Sequence, residues 1–180
     1  LSAALERAVQ QEKDETVHEA AVAAQGLAKA AVLLGGKYHL VTTNVPYLAR
    51  GKQSEELRDY CGEMYPEAQY DLATVFLERC LEFCAEDGTT SIVLPQNWLF
   101  LKSYKDFREK LLQHETWNFI ARLGARSFQT PMWDYNIQLI IISHNQNPIG
   151  FSSSLFEGLY ENTMISGIDV SEDRDASEKA

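Results

Sequence analysis

The sequence predicts an α/β fold, in which a helical segment precedes a mostly parallel sheet with one reversed strand at its edge. Helical and strand-like periodicities alternate along residues 1–123, which is typical of parallel strands joined by helices. Two strand-like runs then follow with only the loop at 124–135 between them, which favours an antiparallel pair. Because 45% of the 180 residues are hydrophobic, the chain can form one packed core.

Residues 1–34 are predicted to be helical, as one helix or as two with a break near residues 13–16. They are rich in Ala, the best helix former, and their apolar side chains have broadly helical spacing. Gly35-Gly36 ends the segment as a C-cap pair would. We interpret the segment as a packing helix or a connector that carries no chemistry.

Residues 37–43 are predicted to form a buried strand because they are largely apolar and β-branched. The strand stops at Asn44, and Pro46 prevents it from continuing because proline lacks the amide hydrogen that a sheet needs. An amide side chain, a proline carbonyl and the ring of Tyr47 are therefore left at the carboxyl end of a strand. Ligands bind at that end of the strands in open α/β sheets.

The segment after Tyr47 is predicted to be a polar loop that contains Arg50 and Lys52, followed by a short helix. Ser54 is expected to cap this helix, which runs to about Arg58. Residues 61–66 are expected to be irregular.

The remaining predicted elements are a helix at 69–85 ended by Asp87-Gly88, a strand at 91–94, a helix capped by Ser103, and strands at 117–123 and 136–143. Asp71 lies near the start of the first of these helices, where a carboxylate complements the helix dipole. Phe107, Leu111 and Leu112 are expected to face inward from the second.

The net charge of −10 argues against a large DNA-contacting surface within this chain, because affinity for DNA comes largely from Lys and Arg on phosphates. Either the chain is an ordinary acidic domain, or the basic contacts lie elsewhere in a longer protein. Leu1 in place of an initiator Met favours a fragment or a processed chain. No apolar run approaches the ~20 residues of a membrane span, and no signal peptide is recognisable, so we expect a cytoplasmic protein without a membrane partner.

The three cysteines, Cys61, Cys80 and Cys84, do not suggest a disulfide framework and fit a reducing compartment. Cys80 and Cys84 are four positions apart on a predicted helix, but no second pair and no nearby His supports a metal site. We expect buried, unpaired thiols and no bound metal.

The tetrapeptide Asn44-Val45-Pro46-Tyr47 resembles the Asn-Pro-Pro-Tyr signature of S-adenosylmethionine-dependent methyltransferases that modify amino groups, especially N6-adenine-specific DNA methyltransferases. Segments 65–76, 92–99 and 123–128 resemble, in the same order, those that follow the signature in the large methylase subunits of restriction-modification and phage-exclusion systems. The resemblance covers about residues 37–143. It implies the C-terminal half of a Rossmann-like class I methyltransferase sheet, within a parent enzyme that methylates the N6 amine of adenine in DNA.

The resemblance implies catalytic roles for Asn44, Pro46 and Tyr47. The side-chain oxygen of Asn44 and the carbonyl of Pro46 would accept the two hydrogens of the adenine amine, which frees the nitrogen lone pair for attack on a sulfonium methyl group. Tyr47 would stack on the base after the base has left the duplex. Val45 departs from the commonest form of the signature, which has proline there, but Pro46 retains the required carbonyl.

Four further residues are candidates for substrate contacts by the same resemblance. Arg50 and Lys52 lie in the loop beside the expected base, where they would touch a phosphate or would simply be solvated cations. Phe128 and Trp133 lie in the loop from which the resembling enzymes supply an aromatic side chain for the second face of the base. A core role is the alternative for both aromatic residues.

The implied cofactor is S-adenosylmethionine, but the Gly-rich turn and the acidic residue that hold it in the resembling enzymes are not found before Lys37. We therefore expect this chain alone to be inactive and to bind no cofactor measurably. The sheet would have an unpaired edge, which favours a homo-oligomer. The expected organisation is a helical segment at 1–34, a partial catalytic domain at 35–145, and a polar extension at 146–180 with a disordered tail.

Two other functions are compatible with the sequence. A protein-glutamine or RNA guanine N-methyltransferase uses a similar tetrapeptide. A non-catalytic α/β interaction module would keep the fold without the chemistry, and it would tolerate replacement of Asn44 by Ala.

Overall fold

A computed structural model of the chain describes residues 15–125, 136–144 and 166–169. The chain divides between Lys37 and Tyr38 into two compact units. None of the helices within these ranges combines the length and the apolar character that crossing a bilayer requires.

The first unit contains helix α1, Glu15–Leu34. The amide of Gly35 hydrogen-bonds the Ala31 carbonyl at 2.9 Å, so the glycine closes the last turn of the helix. Several apolar side chains of α1 are exposed, including Leu27 and Val32 at 73% and 75%. Of the predicted break near residues 13–16, residues 15 and 16 belong to α1, and residues 13 and 14 lie outside the described residues.

The second unit is built on a sheet of five strands: β1 Tyr38–Asn44, β2 Cys84–Pro95, β3 Glu115–Gly124, β4 Ile137–His144 and β5 Ser166–Asp169. Their order in the sheet is β1-β2-β4-β3-β5. The pairs β1–β2 and β3–β5 are parallel, whereas β4 is antiparallel to both of its neighbours. The predicted mostly parallel sheet with one reversed strand is therefore confirmed.

The reversed strand β4 lies inside the sheet and not at its edge, so that part of the prediction was wrong. Ile140 and Ile142 are fully buried, as expected for an apolar strand with a neighbour on each side. The extension at 146–180 also contributes more than a polar tail, because β5 pairs with β3 from Phe119 to Arg122. The acidic tail at 172–180 lies outside the described residues.

Strand β1 is an outer strand of the described sheet and is largely exposed. Leu40 is 64% exposed, and Thr42 and Asn44 are exposed as well. The prediction that residues 37–43 form a strand is confirmed from Tyr38 onward, but the prediction that this strand is buried was wrong. Strand β1 is exposed because, among the described strands, it has a neighbour, β2, on one side only.

Helix α2 spans Glu55–Met64, and Ser54 caps it by accepting a hydrogen bond from the Leu57 amide at 3.3 Å. The predicted cap is confirmed, but residues 61–64 are helical and not irregular. The longer helix places Leu57 and the fully buried Cys61 one turn apart on the side that packs against the core. Apolar burial therefore extends the helix beyond the point that its sequence suggested.

Helix α3 spans Leu72–Phe83, inside the predicted range of 69–85. Asp87-Gly88 does not end this helix, because the two residues lie within β2, where its register with β1 shifts. Asp87 has a φ angle of 62°. A Cβ atom on Gly88 would lie 2.7 Å from the Tyr38 carbonyl oxygen, so only glycine permits this approach of the two strands.

Helix α4 spans Lys105–His114, with Tyr104 at its N-cap and no side-chain capping bond. The prediction that Ser103 caps it was wrong, because Ser103 lies in a 3₁₀ turn, Lys102–Tyr104, that leads into the helix. Phe107 and Leu111 face inward as predicted, at 0% and 3% exposure.

The core of the second unit lies where α3 and α4 pack against β2 and β3. Trp98, from a 3₁₀ turn at Asn97–Leu99, is 2% exposed. Its ring centroid lies 5.6 Å from that of Phe107 and 5.6 Å from that of Trp117. This aromatic group holds α4 against the carboxyl end of β2.

The three cysteines are buried and none of them forms a disulfide, as the sequence predicts. The Cys84 thiol donates to the Cys80 carbonyl at 3.4 Å, and burial raises the pKa of Cys80 to about 11. Within the ranges described, no group of three or more His, Cys, Asp or Glu side chains could hold a metal ion.

Candidate active site

The tetrapeptide at residues 44–47 lies at the carboxyl end of β1, at the edge of the sheet where β2 also ends. Asn44 is the last residue of β1 and is in register with Val93, two residues before Pro95 ends β2. Because the two strands are parallel, the segments that follow them emerge at the same edge. The sequence predicted this placement.

The side chains of the tetrapeptide alternate between solvent and core. Asn44 and Pro46 are exposed, whereas Val45 is 6% exposed and belongs to the hydrophobic core. Val45 therefore anchors the segment at the position where the commonest form of the signature has proline. Its burial leaves the Asn44 amide free to face solvent.

Tyr47 is half-buried and packs against the core cluster. Its hydroxyl donates to the Asn44 side-chain oxygen at 3.3 Å. This distance is longer than a usual O–H···O hydrogen bond, and the bond is exposed, so an incoming N–H donor can replace it at little cost. Burial raises the pKa of Tyr47, and the nearby carboxylate of Asp71 raises it further, so the phenol stays protonated at neutral pH.

The segment after Tyr47 is fastened to the start of α3. The Asp71 carboxylate accepts from the Leu48 amide at 3.2 Å and from the Ala73 amide at 2.9 Å. The Leu48 carbonyl in turn accepts from the Leu72 amide and from the side chain of the buried Gln53, both at 3.0 Å. The loop that carries the tetrapeptide is thus held by specific hydrogen bonds.

A small hollow, open to solvent, lies beside Asp71 at the start of α3. It is lined by Asp71, Ala73, Thr74, Pro95, Asn97, Trp98 and Tyr104. The Thr74 hydroxyl donates to backbone carbonyls, and burial raises the pKa of Tyr104 to about 12. The hollow therefore presents uncharged hydroxyl and amide groups together with one carboxylate that already accepts two backbone amides.

The structure describes two of the four candidate substrate-contacting residues, and it places them differently. Arg50 is half-buried, and its guanidinium donates to the Arg58 carbonyl of α2 at 3.3 Å, so in this structure it fastens the loop to a helix. Lys52 is exposed. Phe128 and Trp133 lie outside the described residues.

A family model for the Eco57I restriction-modification methylase matches residues 3–128, which is more than half of the chain. The chain belongs to this family. Adenine-specific methyltransferase PglX from Lacticaseibacillus casei (strain Zhang) is 35% identical over 98 residues, which cover 53% of this chain and 8% of PglX. The chain thus spans less than a tenth of that relative.

Solved structures show the same fold at low sequence identity. DrdV in a complex with DNA superposes with a TM-score of 0.61 at 17% identity, over 87% of this chain and 17% of that protein. A Listeria monocytogenes protein assigned to the class I S-adenosylmethionine-dependent methyltransferases superposes with a TM-score of 0.54 at 11% identity, over 80% of this chain and 40% of that protein. The sheet of this methylase-family chain therefore has the class I methyltransferase architecture, as the tetrapeptide implied.

The roles of Asp71 and Gln53 beside the tetrapeptide could not be predicted from the sequence. Asp71 was recognised only as a helix-start carboxylate, because its partner Leu48 lies 23 positions away and no local pattern links the two. Gln53 lies in a polar loop, and nothing in the sequence marks it as 6% exposed. Only the folded chain brings both side chains to Leu48.

Proposed function

We propose that this chain supplies the amine-activating part of an enzyme that methylates the N6 amine of adenine in DNA, within a restriction-modification or phage-defence system. The observation that carries the proposal is the exposed Asn44 amide beside the half-buried Tyr47 ring, at the carboxyl end of β1 in a methylase-family chain. The relative PglX is named an adenine-specific methyltransferase, which supports adenine as the base that is modified.

In this proposal the protein acts on the amine through fixed acceptors. The Asn44 side-chain oxygen exchanges its long hydrogen bond with the Tyr47 hydroxyl for one N–H of the amine, and the Pro46 carbonyl accepts the other. Two acceptors pull the nitrogen toward tetrahedral geometry, so its lone pair leaves the ring and becomes nucleophilic. Because these dipoles are already in place, they do not reorganise as charge develops on the nitrogen.

The methyl donor is S-adenosylmethionine, which supplies an electrophilic methyl group on a sulfonium. Within the described ranges, no Gly-rich turn follows a strand, and one oxygen of the Asp71 carboxylate already accepts from the Leu48 and Ala73 amides. These observations support the proposal that the ribose and the methionine portion of the cofactor bind outside the described residues, in the longer enzyme.

The test is a methylation assay with the full-length enzyme that contains this segment and labelled S-adenosylmethionine. Duplex DNA, tRNA with rRNA, and release-factor protein are offered separately. We expect label on N6 of adenine in the duplex. Label only on RNA or on a protein glutamine would contradict the proposal, as would an enzyme that transfers no label to any of the three.

The Tyr47 ring, and not its hydroxyl, is expected to support catalysis. Replacing Tyr47 by Phe should leave the rate within about fivefold, because a neutral hydrogen bond contributes only about 1 kcal/mol. Replacing Tyr47 by Ala should weaken productive base binding by about 1–3 kcal/mol, since the stacking surface is lost. Single-turnover rates on duplex DNA measure both effects, and equal losses in the two variants would argue against stacking.

The 180-residue chain by itself is expected to be catalytically inactive and to associate through the open side of β1. Calorimetry should detect no binding of S-adenosylmethionine at micromolar concentration. Sedimentation should show concentration-dependent self-association, because β1 is an outer strand of the sheet that the described residues form, and an outer strand can pair with a strand of a second copy. Micromolar affinity for the cofactor would contradict the first expectation. A monomer at every concentration would contradict the second.

Lys52 is the better of the two candidate phosphate contacts in the loop. It is exposed, whereas the guanidinium of Arg50 already binds the Arg58 carbonyl. With a net charge of −10, this chain contributes few DNA contacts, and the proposal places most of them in the rest of the longer enzyme.

A further inference from the structure

The Asp71 carboxylate joins two backbone segments that are far apart in sequence. One oxygen accepts from the Ala73 amide at 2.9 Å and so caps α3. The same oxygen accepts from the Leu48 amide at 3.2 Å, and Leu48 directly follows Tyr47. Asp71 therefore does two separable things: it starts a helix, and it holds the peptide group that links Tyr47 to Leu48.

Backbone hydrogen bonds also join the same two segments. Ala49 and Asp71 form an isolated antiparallel bridge, in which the Arg50 amide donates to the Tyr70 carbonyl at 2.9 Å and the Leu72 amide donates to the Leu48 carbonyl at 3.0 Å. Both backbone groups of Leu48 are thus engaged. The orientation of the peptide after Tyr47 is consequently set by the first turn of α3.

We propose that Asp71 is a positioning residue that holds the Tyr47 ring at the tip of β1 by binding the Leu48 amide. This inference rests on the proposed function, because in that function the Tyr47 ring stacks on the target base. Asp71 itself touches backbone amides and acts on the substrate only through Tyr47. A misplacement of the ring by about 1 Å lowers the rate of a positioned reaction by up to about 100-fold.

Two substitutions at this position separate capping from positioning. Asp71→Ser keeps a good N-cap, but the serine oxygen lies one bond closer to the backbone and cannot hold both amides. Asp71→Asn keeps an oxygen at the same distance and an equally good cap. Asp106→Ser is the matched control, because Asp106 is an exposed carboxylate in the first turn of a different helix, α4.

The experiment combines two measurements on these variants. Hydrogen exchange of the Leu48 amide is followed by NMR in the 180-residue chain, and kcat and KM on duplex DNA are measured in the full-length enzyme. For Asp71→Ser we expect slightly earlier melting of the chain, faster Leu48 exchange, and kcat lower by about 10- to 100-fold with a smaller change in KM. Asp71→Asn and Asp106→Ser should remain close to the parent in both measurements.

A double variant ties the effect to the ring. If Asp71 acts through Tyr47, then Asp71→Ser should cost little further rate in an enzyme that already carries Tyr47→Ala. Full additivity of the two losses, or unchanged Leu48 exchange in Asp71→Ser, would overturn the inference. An unmodified enzyme that methylates no DNA would refute the proposed function, and Leu48 exchange in the chain would still decide whether Asp71 holds the loop.

Discussion

Replacing Asn44 by Ala is expected to lower the rate of adenine methylation by about 100- to 1,000-fold, the loss seen when one preorganised hydrogen-bonding group is removed from an active site. The exposed Asn44 oxygen, which here accepts only a 3.3 Å bond from Tyr47, is the group that would draw a hydrogen away from the amine. Without it, the amine keeps its lone pair in the ring. Single-turnover methylation of duplex DNA by the full-length enzyme measures the loss.

The fold should survive this substitution, because Asn44 is exposed and ends an outer strand. Surface changes of this kind alter the free energy of unfolding by about 0.5 kcal/mol or less. Asn118→Ala is the matched control, since Asn118 is an exposed amide in β3. We expect it to change neither the methylation rate nor the free energy of unfolding. A variant at Asn44 that methylates at the parent rate would favour the non-catalytic interaction module.

Replacing Phe107 by Ala is expected to lower the free energy of unfolding of the 180-residue chain by about 3–5 kcal/mol, because it leaves a cavity in a packed core. Phe107 is 0% exposed, and its ring lies 5.6 Å from that of Trp98 and 6.5 Å from that of Tyr104. Trp98 and Tyr104 also line the hollow at the start of α3, so the loss of the Phe107 ring should loosen the packing of those two side chains. Urea unfolding followed by tryptophan fluorescence measures the change.

Phe100→Ala removes the same side chain from an exposed position and serves as the control. Phe100 is 60% exposed and contacts the Arg122 guanidinium, whose Cζ atom lies 5.0 Å from the ring centroid. Such an exposed cation–π contact contributes about 0.5–1 kcal/mol, so the expected loss is small. Equal destabilisation by the two substitutions would contradict the assignment of Phe107 to the core.

Local periodicity was sufficient to predict most helices and strands of the second unit. Ser54 and the apolar residues of α4 were assigned correctly because caps and helical faces depend on neighbours three or four positions away. Asp87-Gly88 was misassigned as a helix end, since the same dipeptide suits a strand bulge and only the nearby Tyr38 carbonyl decides between the two. The position of β4 inside the sheet was missed because strand order depends on contacts between distant segments.

The amino-acid sequence by itself determined the chemistry offered at the end of β1: an amide oxygen, a proline carbonyl and an aromatic ring on adjacent residues, where proline stops the strand. Such a motif is local, so it can be recognised before the fold is known. The tertiary structure alone decided how that motif is held. Val45 is buried in the core, and Asp71 reaches across 23 positions to the Leu48 amide, because packing and hydrogen bonding join segments that no sequence period connects.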